Sequence, residues 1–144
     1  MSDPFVDTDV IIRLLTKDDE KKQAEAAVLF EAIEAGKMRV EAPITVIADA
    51  VHVLSSPRLY NRPRDQIRDM LTSLVGLPSF KVHSRQIILA ALHIYASTNV
   101  DFGDAMIVAC MEESSSQVVY SYDRHFDRFP SITRQDPGEV VRQD

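Results

Sequence analysis

The apolar positions of the chain follow two patterns that alternate along its length. Segments with apolar residues at helical spacing, such as residues 26–33 before Gly36, alternate with short apolar runs that are typical of strands. The short runs lie at residues 5–6, 38–40, 80–82 and 117–122. This alternation predicts an α/β fold, a three-layer α/β/α sandwich whose central sheet is mostly parallel.

The helix that Pro43 opens is predicted to be apolar on nearly every side. Its polar residues, Thr45, Asp49 and His52, recur at positions i, i+4 and i+7 and therefore share one stripe. Asp49 is the only acid in this helix. An isolated carboxylate in such a helix either faces solvent on that stripe or has a specific partner.

Length and composition are those of a globular protein. The chain has 144 residues, 45% apolar and 26% charged, and we expect a single domain over residues 1–137 with a polar tail over residues 138–144. The sequence contains no signal peptide and no apolar run of about 18 residues, so we expect a cytoplasmic protein without a membrane segment. Cys110, the only cysteine, is expected to lie in the core.

The net charge bears on possible partners. A formal charge of −6 argues against a nucleic-acid partner, because phosphate binders usually present a basic face. Proteins that gather carboxylates around divalent cations are an exception, since the bound metal reverses the local charge. The charge therefore neither requires nor excludes a nucleic-acid substrate.

Four aspartates from distant segments are candidates for one metal site. Asp7 and Asp123 end an early and a late predicted strand. Asp104 lies in the first turn of the helix that begins at Asp101. Because sites in parallel α/β folds lie beyond the carboxyl ends of the strands, we expect these three acids and Asp49 to converge. Hard divalent cations such as Mg²⁺ take oxygen ligands of this kind.

Each of these acids also has a purely structural interpretation. Asp7 could cap the helix that follows it, and Asp101 with Asp104 resembles a capping box in which Asp101 is the cap. Asp49 could lie on a solvated stripe, and Asp123 could be an ordinary turn residue. Convergence on a metal is thus a hypothesis that depends on the fold class.

Four segments resemble the four motifs of PIN domains, in the same order. They are residues 5–10 (FVDTDV), 43–54 (PITVIADAVHVL), 101–109 (DFGDAMIVA) and 118–127 (VVYSYDRHFD). Each motif is weak alone, but four in order form a specific pattern that covers nearly the whole chain. In size, the chain looks like the VapC-type toxins of bacterial or archaeal toxin–antitoxin pairs.

The resemblance implies a metal-dependent ribonuclease that uses Mg²⁺ or Mn²⁺. It also implies a homodimer and a small antitoxin protein that blocks the site. Asp7, Asp104 and Asp123 match the metal-binding acids of the family. Asp49 stands where Glu is usual, so its shorter arm is expected to reach metal only through water. The resemblance therefore names all four as catalytic residues and the first three as metal ligands.

Other positions are expected to support the site or to contact RNA. Ser121 matches a small hydroxyl residue that supports the acids in PIN domains, and Thr8 and Asp101 are expected to act similarly. Residues 58–64, together with Arg68, form the densest basic stretch. This stretch is either an RNA-binding segment, a solvated loop or a border of the antitoxin groove.

Two alternative functions remain open at this point. Residues 7–10 also resemble the nucleophile motif of haloacid-dehalogenase phosphatases, in which Asp7 would attack phosphorus and Asp9 would act as the acid. That chemistry needs a positioned lysine, and Lys81 is the only one after Lys37. The second alternative is a PIN-type RNA-processing nuclease without an antitoxin.

Overall fold

The chain alternates between helices and short parallel strands. A computed structural model describes residues 2–139. In chain order the elements are α1 (Thr8–Leu15), α2 (Glu20–Glu34), β1 (Val40–Ala42), α3 (Ile44–Ser55), α4 (Arg64–Val75), β2 (Phe80–Val82), α5 (Arg85–Ser97), α6 (Phe102–Ser114), β3 (Val118–Tyr120), a 3₁₀ helix (Arg124–Arg128) and β4 (Thr133–Gln135).

The described strands all pair in parallel. β1 pairs with β2, with Glu41 opposite Lys81, and β3 pairs with β4, with Val119 opposite Arg134. Phe5 adds a parallel bridge to Glu41 on the other side of β1. Parallel neighbours need long crossovers, which helices supply here. The predicted α/β sandwich with parallel strands is therefore confirmed.

Three predicted strands differ in the structure, and the one at residues 5–6 is reduced to the single bridge at Phe5. The strand predicted at residues 38–40 begins only at Val40, because Glu41 is the residue that pairs with both neighbouring segments. The strand predicted at residues 117–122 is confined to β3. The Ser121 hydroxyl accepts a hydrogen bond from the Asp123 amide, and this bond turns the chain out of the strand.

The main core lies between the helices and the β1–β2 pair. It is built from aliphatic and aromatic side chains that are fully shielded from solvent. The largest of these are Phe80, Ile11, Ile33, Ile47, Leu54, Ile67, Leu71, Ile88 and Leu92. Burying each such side chain contributes roughly 1.5–3 kcal/mol to stability. The apolar faces of α3, α4 and α5 are thus held inside the fold.

A second, smaller apolar cluster joins α6 to the C-terminal segment. Val108 and Met111 of α6 pack with Phe126 of the 3₁₀ helix and with Ile132. This packing holds the turn after β3 against α6. Cys110 lies on the opposite side of α6 and is exposed, so its predicted place in the core is wrong. The buried side of α6 includes Val108, Ala109 and Met111, and Cys110 is not part of it.

The remaining predictions about the chain ends concern residues 138–144. Residues 140–144 lie outside the described part of the chain. The proposed boundary between a domain over residues 1–137 and a polar tail therefore stays a prediction. Within residues 2–139, no helix is long and apolar enough to cross a membrane.

Candidate metal centre

Asp104 is placed by the start of α6. It lies in the first turn of this helix, where the partial positive charge of the helix N-terminus favours a carboxylate. Asp101 occupies the N-cap position, but its side chain accepts no capping hydrogen bond. The capping hydrogen bond predicted for Asp101 is therefore not formed, and this prediction is wrong.

Asp123 is placed by the turn between β3 and the 3₁₀ helix. Its Oδ1 accepts hydrogen bonds from the His125 amide at 2.8 Å, and the Ser121 Oγ accepts one from the Asp123 amide at 2.9 Å. Ser121 thus orients the backbone of Asp123, and the His125 amide orients its carboxylate. Arg134 fixes the same turn, since its guanidinium donates to the Ser121 carbonyl and pairs with Asp127.

Asp104 and Asp123 form one group with His125. One ligand atom from each of these side chains lies within 4.8 Å of the other two. In an octahedral site with bonds of about 2.1 Å, neighbouring ligand atoms are about 3 Å apart and opposite ones about 4 Å. Ligand atoms within 4.8 Å of one another can reach one such ion after small side-chain movements. Three protein ligands would leave the remaining positions of an octahedral ion to water and phosphate oxygens.

The surroundings of Asp104 and Asp123 shift the pKa values of the two carboxyl groups in opposite directions. Partial burial raises the pKa of Asp104, and the neighbouring charges of Asp123 and Asp101 raise it further. The hydrogen bond from the His125 amide lowers the pKa of Asp123, and the His125 side chain lowers it as well. Asp104 therefore has the higher pKa of the two and takes up a proton before Asp123 does as the pH falls. A cation competes with protons for this carboxylate.

Asp7 lies at the start of α1. Its Oδ1 accepts a hydrogen bond from the Thr8 amide at 2.7 Å, so it serves as the N-cap of α1. Its Oδ2 accepts no hydrogen bond from the described residues. The Thr8 hydroxyl donates to the carbonyl of Val46 at 3.4 Å and links α1 to α3. Asp7 is thus held by its own helix and is not a member of the Asp104 group.

Asp49 lies on the exposed stripe of α3, together with Thr45 and His52. Asp49 and Asp7 line one cleft of about 540 Å³ between α1 and α3. The structure thus brings the four predicted acids together in two pairs. Asp104 and Asp123 are within ligand distance of each other, and Asp7 and Asp49 line the cleft between α1 and α3.

His125 is the member of the group that sequence reasoning missed. None of the histidines has zinc-ligand spacing, so the sequence offered no reason to select this one. Its imidazole Nδ1 lies 2.9 Å from the Asp123 Oδ1. The signal would have been its position two residues after Asp123, where a tight turn directs both side chains to the same side.

Fold and site together define an α/β protein with a candidate cation site near the ends of α6 and β3. The PIN domain family matches this chain over residues 5–132, most of its length. The chain therefore belongs to the PIN domain family, whose members are generally metal-dependent nucleases that act on RNA. No match was found among curated proteins. The family membership predicted from the four motifs is thus confirmed.

The residues present fit the divalent cation that the family implies. Two carboxylates supply hard oxygen ligands, and the imidazole supplies a nitrogen that first-row metals accept. Besides partial burial, the negative charges of Asp123 and Asp101 raise the pKa of Asp104, and a bound cation would balance this like-charge repulsion.

Proposed function

We propose that this chain is an endoribonuclease that cleaves RNA phosphodiester bonds with Mg²⁺ or Mn²⁺. The observation that carries the proposal is the group of Asp104, Asp123 and His125 in a chain of the PIN domain family. A divalent cation bound there would polarise a phosphoryl group and activate a water molecule for in-line attack.

The proposed site assigns a task to each acid. Asp7, Asp104 and Asp123 are metal ligands, and Asp49 is a catalytic residue that acts through water. Asp7 keeps one carboxylate oxygen available, since only Oδ1 accepts the Thr8 amide. Ser121 supports the site through the Asp123 amide, and Thr8 supports it by joining α1 to α3.

The first test is cleavage of single-stranded RNA by the purified protein. We expect cleavage with Mg²⁺ or Mn²⁺ and no cleavage in EDTA. Asp104→Asn keeps the shape of the side chain but removes a ligand charge, so cleavage should fall by at least about 100-fold. Asp101→Asn is the matched control because it removes the same charge one turn away, and it should retain most of the activity. Cleavage that survives EDTA, or equal losses in the two variants, would contradict the proposed site.

We further propose that the chain is the toxin of a type II toxin–antitoxin pair and acts as a homodimer in the cytoplasm. The support is the resemblance of its four motifs and its size to VapC-type toxins. Induced expression should arrest growth, and Asp104→Asn should relieve the arrest. Co-expression of a short protein encoded next to this chain should also relieve it and should bind the chain. Growth without arrest would favour an RNA-processing nuclease that has no antitoxin.

The phosphatase alternative finds less support in the structure. That chemistry needs a lysine beside its aspartates, and Lys81 lies on β2 with its Nζ 3.5 Å from Glu41. Lys81 is thus engaged on the β1–β2 pair. Hydrolysis of p-nitrophenyl phosphate without RNA cleavage is the result that would restore this alternative.

A further inference from the structure

The loop between α3 and α4 and the first turns of α4 contain four arginines whose side chains have different contacts. Arg64 donates to the backbone carbonyls of Tyr95, Thr98, Asn99 and Val100, and its guanidinium lies 4.2 Å from the centre of the Tyr95 ring. Arg68 pairs with its neighbour Asp69. Arg58 is exposed. These three arginines therefore have structural or solvated roles, and the fourth is Arg62.

Arg62 combines a fixed backbone with an uncommitted side chain. Its amide donates to the Leu54 carbonyl at 2.8 Å, and Pro63 follows it directly at the N-cap of α4. Among residues 2–139, its guanidinium forms no hydrogen bond or ion pair that would occupy it. Arg62 is a half-buried residue, and a guanidinium with five donors and no partner is suited to an external anion.

The loop that carries Arg62 is held by hydrogen bonds to two other parts of the fold. The Asn61 amide donates to the Ser56 carbonyl at 2.9 Å, which ties the loop to the end of α3. The Tyr60 hydroxyl donates to the Asp18 carboxylate at 2.8 Å, which ties it to the turn between α1 and α2. A binding group on a loop held in this way loses little entropy when its ligand arrives.

Arg62 lines a cleft of about 580 Å³ together with His52, Asp101 and Gly103. Asp101 and Gly103 lie within three residues of Asp104, so one wall of the cleft is the start of α6, the helix that also carries Asp104. His52 also lines the cleft that holds Asp7 and Asp49. The two clefts therefore meet at His52, and Arg62 lies on the side away from Asp7.

We propose that Arg62, with His52 beside it, binds a phosphate of the RNA strand next to the phosphate that is cleaved. This subsite rests on the proposed nuclease function. The strand would lie along the cleft that Asp101, Gly103 and Arg62 line, with Arg62 at a distance from the start of α6. Arg64 lines the same cleft, but backbone carbonyls engage its guanidinium, so Arg62 is the arginine there that is available for a phosphate. Such a contact is independent of base identity.

The test measures the binding of a labelled single-stranded RNA of about 12 nucleotides by fluorescence anisotropy, with Ca²⁺ in place of the reactive metal. Arg62→Ala should raise the Kd about tenfold. Arg58→Ala is the matched control, because it removes the same charge from the same loop without touching either cleft. It should change the Kd less than about twofold.

The salt dependence of the Kd separates a phosphate contact from a general charge effect. Loss of one phosphate contact to a single strand should reduce the slope of log Kd against log salt by about 0.7 in Arg62→Ala and leave it unchanged in Arg58→Ala. Arg62→Lys should keep the slope and part of the affinity, since it keeps the charge but not the fork of donors.

The outcomes separate the two hypotheses. A wild-type protein that neither binds nor cleaves RNA would overturn the nuclease proposal and the subsite with it. A wild-type protein that binds and cleaves, with equal Kd values and slopes for Arg62→Ala and Arg58→Ala, would overturn the subsite alone. Unchanged thermal stability of Arg62→Ala would confirm that its loss of affinity is not a loss of folding.

Discussion

The imidazole Nδ1 of His125 lies 2.9 Å from the carboxylate Oδ1 of Asp123, and the His125 amide donates to the same oxygen. One residue thus contacts the carboxylate through both its backbone and its side chain. The turn that makes this possible is the start of the 3₁₀ helix, which Asp123 caps. The contact places a nitrogen ligand beside two acids in a site that otherwise offers only oxygen.

We expect His125 to bias the site toward Mn²⁺ over Mg²⁺, because Mn²⁺ accepts imidazole more readily than the harder Mg²⁺. His125→Ala should lower Mn²⁺ affinity by about tenfold and Mg²⁺ affinity much less. The measurement is calorimetric titration with each metal, supported by pulsed EPR of bound Mn²⁺ for a nitrogen coupling. His83→Ala is the control, as His83 is exposed and outside the group. An unchanged affinity ratio with no nitrogen coupling would exclude ligation by His125.

Metal binding should depend on pH through Asp104. Burial and the charge of Asp123 raise the pKa of Asp104, so this carboxyl keeps its proton above the range where an ordinary aspartate has lost it. Because a cation has to displace the proton, Mn²⁺ affinity should fall as pH decreases, starting above that ordinary range. Calorimetry across a pH series tests this, and proton release on binding should rise as pH falls. An affinity that stays constant through that range would contradict the raised pKa of Asp104.

The raised pKa of Asp104 also affects the stability of the metal-free protein. A group whose pKa is raised by folding contributes stability below its unfolded pKa and loses it as pH rises through the folded pKa. Ionised Asp104 therefore destabilises the metal-free protein at neutral pH. Asp104→Asn should melt at an equal or higher temperature than the wild type in EDTA, and saturating metal should remove the advantage of the variant. A lower melting temperature in EDTA would show that Asp104 has a structural role.

Arg64 should matter for stability, in contrast with the other arginines of the same stretch. It satisfies carbonyls around the end of α5 and stacks on Tyr95, so Arg64→Ala leaves these groups without partners. We expect a loss of about 3 kcal/mol in the free energy of unfolding. Arg68→Ala breaks only an exposed pair with Asp69 and should cost less than about 0.5 kcal/mol. Urea denaturation of both variants measures the difference, and similar midpoints would refute the assignment.

The alternation of apolar patterns was enough to predict the fold class, and motif order was enough to predict the family. Both depend on hydrophobic period and residue spacing, which a single sequence contains. The directions of side chains depend on local turns that such patterns do not specify. Asp7 illustrates this, because the sequence allowed both a helix cap and a metal ligand at this position, and the structure shows its carboxylate turned toward the Thr8 amide of its own helix.

His125 and Cys110 are two further residues whose side-chain directions the sequence pattern does not specify. His125 joins the acids only because the turn after Asp123 brings its ring back to them. Cys110 lies among apolar residues in the sequence, yet it is exposed because α6 buries a stripe that passes beside it. In both cases the direction in which the side chain leaves its helix or turn decides its role. The sequence pattern around the residue does not determine that direction.

Asp49 is the last residue whose role can be tested directly. It is exposed on α3 and lines the cleft that also holds Asp7, outside the group of Asp104 and Asp123. If Asp49 acts through a bridging water, Asp49→Glu should keep activity, because the longer arm can replace that water. Asp49→Ala should raise the metal concentration for half-maximal cleavage about tenfold or more. Thr45→Ala, on the same exposed stripe but outside that cleft, serves as the control.

The measurement is a metal titration of the RNA cleavage rate for the wild type and these variants. A shift of the midpoint in Asp49→Ala, with an unchanged rate at saturating metal, would place the effect of Asp49 in metal binding and not in folding. A lower saturating rate with an unchanged midpoint would instead assign Asp49 to orientation of the attacking water. Superimposable curves for all variants would remove Asp49 from the site, because loss of a carboxylate that acts on the cation through water has to change the metal affinity or the rate.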